Sequence, residues 1–212
     1  MNTSTAEAEQ GMWRQLPMAL TWLRVALVPV FVLAFYLPQL TESGLLQWLA
    51  PPLAATVFAL AGITDWLDGW LARRWNAVSK LGAFLDPVAD KILVAVALVL
   101  IVQHDGRAWL ALPAAVIIGR EITVSALREW MAESGARSRV AVSWIGKAKT
   151  VMQIVAITTL LFRHDLPVPA LGTLPVYNIG VLLLQVAAIL TLWSMFGYLR
   201  AAWVWLKSND GK

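Results

Sequence analysis

Residues 65–90 read DWLDGWLARRWNAVSKLGAFLDPVAD, and their four aspartates, Asp65, Asp68, Asp86 and Asp90, stand among long apolar segments. A charged side chain at the middle of a membrane-spanning helix costs on the order of 2.5–3.5 kcal/mol on insertion scales, and less toward the interface. Asp65 and Asp68 are spaced i, i+3, and Asp86 and Asp90 are spaced i, i+4, so a helix projects each pair from one face. These four acids therefore need something that neutralises them.

The chain around this stretch is strongly apolar. Of its 212 residues, 59% are hydrophobic and 14% are charged, whereas soluble domains have roughly 45–50% apolar and about 25% charged residues. The sequence has no cysteine, which excludes a disulfide framework, a thiolate zinc site and a cysteine nucleophile. The net charge of +4 comes from basic residues between apolar segments, not from a polar basic domain, so we expect no nucleic-acid partner. The composition indicates a polytopic membrane protein.

Six stretches are long and apolar enough to cross roughly 30 Å of hydrocarbon as helices. The predicted fold is an all-α polytopic membrane protein with one domain over residues 1–212, a disordered tail over residues 1–11 and an interfacial helix around residues 12–17. The six predicted spans cover residues 18–37, 49–73, 83–103, 108–132, 146–162 and 178–203.

The basic residues predict the orientation, because cytoplasmic loops carry an excess of Lys and Arg. If the N-terminus is cytoplasmic and the six spans alternate, the outer loops contain only two of the 17 basic residues, Arg107 and Arg163. Both termini are therefore predicted to be cytoplasmic. The two histidines, His104 and His164, fall in outer loops away from the aspartates, so we assign them no catalytic role.

The four aspartates favour a site for divalent cations. A short turn around residues 76–80 would make the second and third spans antiparallel neighbours and bring the two acid pairs together. Converging carboxylates repel one another unless cations lie among them, and all-oxygen ligands favour hard ions such as Mg²⁺, Mn²⁺ or Ca²⁺. Such a cluster suits a phosphate-bearing substrate, because divalent ions bridge phosphate oxygens and offset developing charge.

Two neighbouring residues have more than one explanation from the sequence alone. Gly69 is explained equally well by the close approach of a nucleotide and by close helix packing of the kind that small residues allow. Arg73 can bind a phosphate through its bidentate guanidinium, but anchoring of the helix at the lipid headgroups explains it better when the residue is taken by itself.

The whole stretch resembles the signature of the CDP-alcohol phosphotransferase family. Its eight fixed positions are Asp65-x2-Asp68-Gly69-x2-Ala72-Arg73-x8-Gly82-x3-Asp86-x3-Asp90, and every gap has the length that the family shows. The similarity to bacterial members covers nearly the whole chain after about residue 15, and includes residues 16–24, 119–133, 140–150 and 192–195.

The resemblance implies an activity and a set of site residues. The implied substrates are CDP-diacylglycerol and sn-glycerol 3-phosphate, and the implied cofactor is Mg²⁺ or Mn²⁺, as two ions. It also implies a homodimer among membrane lipids in the bacterial inner membrane, with the active site toward the cytoplasm. The implied metal ligands are Asp65, Asp68, Asp86 and Asp90, with Asp90 also the general base. The implied CDP-binding residues are Asp65, Asp68, Gly69, Ala72, Arg73 and Gly82.

The phosphate of the acceptor needs basic side chains on the cytoplasmic side. Arg120 stands in an apolar run beside Glu121 and is either a structural ion pair or a substrate contact, and we favour the contact. Attraction of loop cations to anionic lipid, worth about 1 kcal/mol each, explains Arg137 and Arg139 individually better than substrate binding does. The full set of candidates is Arg120, Lys147, Lys149, Arg137 and Arg139.

Two alternatives stay open from the sequence. The chain could use another acceptor of the same family, such as inositol phosphate, phosphatidylglycerol or an amino alcohol, because the eight signature residues do not distinguish acceptors. Alternatively, the four aspartates could form the transport site of a divalent-cation transporter, since intramembrane carboxylates are typical of ion pathways. Transporters often have inverted repeats with broken helices, and the sequence shows no such symmetry.

Overall fold

A computed structural model describes the backbone over residues 3–75, 80–134, 144–169 and 172–209. This part of the chain is almost entirely helical, in agreement with the predicted fold class. The elements are α1 (Thr3–Leu40), α2 (Gly44–Trp75), α3 (Lys80–Asp105), α4 (Ala108–Glu133), α5 (Trp144–Phe162), β1 (Leu166–Val168), β2 (Gly172–Leu174) and α6 (Val176–Asn209).

Within the described residues, four helical segments are long and apolar enough to cross a membrane, and each overlaps a predicted span. They are Trp22–Leu40, Gly44–Thr64, Ala108–Glu133 and Val176–Lys207. Helices α3 and α5 cover the other two predicted spans, and the apolar part of α5, Ala148–Phe162, is shorter. The chain is therefore a multi-pass membrane protein, and the number of six spans stays a prediction.

Helix α1 begins earlier than the sequence pattern indicated. We expected a disordered tail over residues 1–11 and a separate interfacial helix around residues 12–17, whereas the helical backbone begins at Thr3 and continues without interruption into the first span. Residues 6–10 read AEAEQ, and Ala, Glu and Gln are among the strongest helix formers. The expectation of a disordered tail rested on the polarity of these residues and did not take their helix propensity into account.

The chain divides into two compact units, of which the first comprises Met1–Ala97 and Leu161–His164. Here α1 packs on α2, and the buried rings of Phe31 and Phe58 lie 6.0 Å apart. The end of α5 is held at the start of α2, because Nε2 of His164 lies 2.8 Å from the backbone carbonyl oxygen of Trp48. In the same place the guanidinium of Arg163 lies 4.5 Å from the ring centre of Phe35.

The second unit comprises Leu98–Leu160 and Asp165–Lys212. Helices α4 and α6 pack through buried Val124, Met131, Tyr198 and Ala202. Helix α6 also approaches α5 closely at Gly180, where an added Cβ atom would lie 2.9 Å from Cγ and 3.0 Å from the backbone nitrogen of Leu160. A larger residue at this contact would force the neighbouring atoms to shift, so glycine is favoured there on steric grounds.

The turn between α3 and α4 carries an ion pair. Gly106 ends α3 with φ +69°, a conformation that glycine adopts without strain. Arg107 donates hydrogen bonds to both carboxylate oxygens of Asp105, and Tyr177 donates a third from α6. The hydrogen bonds from Arg107 are the main reason why the pKa of Asp105 falls to about 2, and the hydroxyl of Tyr177 lowers it further against the opposing effect of burial.

A short antiparallel hairpin, which we did not predict, connects α5 to α6. Its register pairs Leu166 with Leu174 and Pro167 with Thr173. Gly172 has φ +88°, which L-residues with side chains rarely adopt. The residues of β2 are exposed.

Candidate active site

The four predicted metal ligands lie on two helices that follow one another in the chain. Asp65 and Asp68 are one turn apart on α2, and Asp86 and Asp90 are about one turn apart on α3. Asp68 lies seven residues before the end of α2 and Asp86 six residues after the start of α3, which is roughly 10 Å in each case at 1.5 Å rise per residue. Asp68 and Asp86 therefore lie at similar distances, measured along their helices, from the end of α2 and the start of α3. Their side chains lie outside the described part of the chain, so their role as ligands stays a prediction.

The predicted CDP-binding residues share these helices. Gly69 and Ala72 stand four and seven residues after Asp65 on α2, so they continue the helix face that carries Asp65 and Asp68. Arg73 is next on α2, and Gly82 lies in the first turn of α3. Like the aspartates, Arg73 has a side chain outside the described part.

A second cluster consists of charged side chains that connect α4 to α5 through ion pairs. Nη1 of Arg120 lies 3.0 Å from Oε1 of Glu121, and Nζ of Lys149 donates to the same oxygen. The side chains of Arg120 and Lys149 are only 8% and 4% exposed, whereas that of Glu121 is 25% exposed. The structure therefore brings together two of the five predicted acceptor-binding cations, and one carboxylate serves both.

Helix α6 completes this cluster. Nη2 of Arg120 donates a 3.1 Å hydrogen bond to Oγ of Ser194, which donates in turn to the backbone carbonyl of Thr191. The guanidinium also lies 5.4 Å from the ring centre of Tyr198, within the range of a cation–π interaction. Among the described residues, Nε of Arg120 is buried and has no hydrogen-bond partner. A buried donor of this kind is normally satisfied, so it is available to an anionic ligand.

The other predicted acceptor residues cannot be compared with the structure. Lys147 lies two residues before Lys149 on α5, with its side chain outside the described part. Arg137 and Arg139 lie in residues 135–143, outside the described chain altogether. Their proposed contact with the acceptor stays a prediction.

The sequence did not assign Glu121, Ser194 or Tyr198 to the site, although all three contact Arg120. A signal for Ser194 exists, since a hydroxyl in an apolar span usually hydrogen-bonds to a neighbouring helix. A signal for Glu121 is its position beside a buried cation in an apolar run. No sequence pattern predicts that the ring of Tyr198 lies beside the guanidinium of Arg120, because this contact depends on how α4 and α6 pack.

Comparison with known proteins confirms the resemblance carried by residues 65–90. The family model of CDP-alcohol phosphatidyltransferases matches residues 14–203, and the chain belongs to this family. A protein of Sodalis glossinidius named CDP-diacylglycerol–glycerol-3-phosphate 3-phosphatidyltransferase is 55% identical over 187 residues, which are 88% of this chain and 94% of that protein. Proteins with the same name from Pectobacterium atrosepticum and Shigella flexneri are 55% and 54% identical over the same shares.

Proposed function

We propose that this chain transfers the phosphatidyl group of CDP-diacylglycerol to sn-glycerol 3-phosphate, with phosphatidylglycerophosphate and CMP as products. The observation that carries the proposal is the 55% identity, over 88% of the chain, to relatives named for this reaction. All eight positions of the CDP-alcohol signature are also present in residues 65–90. The acceptor is the finer part of the proposal, since the signature alone is shared by enzymes with other acceptors.

The donor set fits divalent cations. Asp65, Asp68, Asp86 and Asp90 offer oxygen ligands only, which Mg²⁺ and Mn²⁺ prefer, and we assign two such ions to them. Such ions would supply positive charge that stabilises the negative charge developing on the phosphates during the reaction. Their charge also removes the repulsion that four neighbouring carboxylates would otherwise suffer in an apolar setting.

The carboxylate of Asp90 is the proposed general base. It accepts the proton of the primary hydroxyl of glycerol 3-phosphate while that oxygen attacks the β-phosphorus, which carries the diacylglycerol. The bond between this phosphorus and the bridging oxygen breaks, and CMP leaves with the bonding electrons. A carboxylate is a weak base at neutral pH, so positioning of the hydroxyl must supply much of the rate.

The CDP group is assigned to the face of α2 that carries the acid pair. Gly69 and Ala72 lack bulky side chains there, so the nucleotide can approach the backbone, and Gly82 has the same role on α3. Arg73 supplies a guanidinium for the phosphates. Asp65 and Asp68 complete the predicted CDP-binding set.

The phosphate of the acceptor is assigned to the cluster on α4, α5 and α6. Arg120 and Lys149 are almost fully buried cations, and Nε of Arg120, which has no hydrogen-bond partner among the described residues, gives the phosphate a donor. A phosphate would accept charge-assisted hydrogen bonds from these cations. Lys147, Arg137 and Arg139 are the further residues that we expect to contribute.

We place the enzyme in the bacterial inner membrane as a homodimer with six spans and both termini in the cytoplasm. Support comes from the distribution of Lys and Arg, since the proposed topology leaves only Arg107 and Arg163 outside. The four aspartates and the Arg120 cluster then belong to the cytoplasmic side. Soluble glycerol 3-phosphate can reach them there.

The test is an acceptor comparison with purified protein. CDP-diacylglycerol is supplied with glycerol 3-phosphate, inositol phosphate, phosphatidylglycerol or an amino alcohol, and CMP release is measured. We expect release with glycerol 3-phosphate, whereas release with inositol phosphate alone would defeat the assigned acceptor. Divalent-cation flux into liposomes without any CMP would favour the transporter.

A further inference from the structure

Glu121 holds two buried cations with one oxygen. Arg120 precedes it on α4 and Lys149 comes from α5, and both donate to Oε1 of the carboxylate. Arg120 has additional support from Ser194 and Tyr198 on α6. Glu121 thus connects the cation that α6 already orients to a second cation from another helix.

The two cations of this group are far less exposed than the carboxylate between them. Coulomb repulsion between like charges is strong in an apolar environment, and the shared carboxylate opposes the repulsion between Arg120 and Lys149. Glu121 therefore helps to keep these two cations close together.

We infer that Glu121 is a positioning residue for acceptor selectivity, which holds Arg120 and Lys149 close together before the acceptor arrives. This inference rests on the proposed function. A prearranged pair of cations binds the phosphate of glycerol 3-phosphate without first paying for the ordering of Lys149. An acceptor without a phosphate, such as glycerol, gains nothing from the pair.

The first experiment compares Glu121→Gln and Glu121→Asp with the wild-type protein. Gln keeps the shape but loses the charge, whereas Asp keeps the charge. We expect Glu121→Gln to raise the KM for glycerol 3-phosphate about tenfold, with the KM for CDP-diacylglycerol unchanged. Glu121→Asp should recover part of this loss. The ratio of glycerol 3-phosphate turnover to glycerol turnover should fall in Glu121→Gln.

A matched control is Glu129→Gln, which removes an exposed carboxylate two turns further along α4 and should leave both KM values unchanged. If Glu121→Gln leaves the acceptor KM unchanged, or weakens both substrates equally, the inference is wrong. If the wild-type protein and Glu129→Gln release no CMP with glycerol 3-phosphate, the proposed function itself fails. The two failures are therefore distinguishable.

A double variant covers the case in which Glu121→Gln does not fold. Glu121→Gln with Lys149→Met removes one charge of each sign, so the repulsion between the two cations is removed together with the carboxylate. If Glu121 acts through Lys149, the acceptor KM of this double variant should be close to that of Lys149→Met alone. If the fold increases in acceptor KM of the two single variants multiply in the double variant instead, the two residues act independently and the inference is wrong.

Discussion

The hydroxyl of Tyr177, in the first turn of α6, donates a hydrogen bond to Asp105, the last residue of α3. Asp105 also accepts two hydrogen bonds from Arg107, in the turn before α4. One carboxylate therefore joins the ends of three helices within the second unit. In the proposed topology this junction lies on the outer side, and its contribution is to stability.

Asp105→Asn should weaken this junction at neutral pH. Loss of a charged acceptor with three donors should lower the free energy of unfolding by on the order of 1 kcal/mol. Thermal unfolding of the purified protein in detergent measures the change. Asp165→Asn is the control, since Asp165 is an exposed acid of the same unit, and it should leave the midpoint unchanged.

The effect of Asp105 should also depend on pH. Its folded-state pKa of about 2 lies below the ordinary 3.8, so the carboxylate stabilises the fold above about pH 4 and loses this effect as the pH falls toward 2. The difference in unfolding midpoint between wild type and Asp105→Asn should therefore shrink over this interval. A difference that stays constant from pH 7 to pH 2 would contradict the assigned pKa.

Asp90→Asn should abolish turnover with little change in the fold. A general base contributes about 10²–10⁴-fold, and Asn cannot accept the proton of the acceptor hydroxyl. CMP release measures the loss, while the elution volume and unfolding midpoint of the variant report on its fold. Near-normal CMP release would remove Asp90 from the role of base.

Chelation should stop the reaction. Excess EDTA removes divalent ions from the proposed carboxylate site, and added Mg²⁺ or Mn²⁺ should restore CMP release. The measurement is the rate before chelation, after chelation and after the metal is returned. Full activity in excess chelator would rule out the assignment of Asp65, Asp68, Asp86 and Asp90 as a required metal site.

Gly180→Ala should destabilise the contact between α5 and α6. The new Cβ would lie 3.0 Å from the backbone nitrogen of Leu160, and backbone cannot turn aside as a side chain can, so we expect a loss of about 1–3 kcal/mol. Gly197→Ala on the same helix is the matched control, because no atom of the described residues outside its own turn of helix lies within 4 Å of the added Cβ. Equal unfolding midpoints for the two variants would show that the contact is not tight.

The apolar pattern predicted where helices occur but not where they end. Helix α6 runs from Val176 to Asn209, beyond the predicted span of 178–203, because a helix continues through flanking residues that are not needed to cross the hydrocarbon. The hairpin was missed for a related reason. Its strands have three residues each and include Pro167 and Gly172, which are residues that usually argue against a strand.

The signature residues and their helices were predictable, whereas the partners of Arg120 were not. Helical spacing alone puts Asp65 and Asp68 on one face of α2. By contrast, Ser194 accepts a hydrogen bond from Arg120, and Lys149 donates one to the neighbouring Glu121. These two residues lie 74 and 29 residues away from Arg120 in the chain. Contacts across such separations depend on helix packing, so the sequence left both an ion pair and a substrate contact open for Arg120. The structure shows the ion pair, and the unused Nε keeps the second role available.

The hairpin between α5 and α6 provides a place for a chemical reporter. Because the chain has no cysteine, Thr173→Cys would put a single thiol on the exposed strand β2. A membrane-impermeant maleimide added to intact spheroplasts should label this thiol, since the topology proposed from the basic residues has the hairpin outside. If the thiol is labelled only after lysis, the hairpin lies in the cytoplasm and the proposed membrane orientation is wrong. The four aspartates would then be assigned to the opposite compartment.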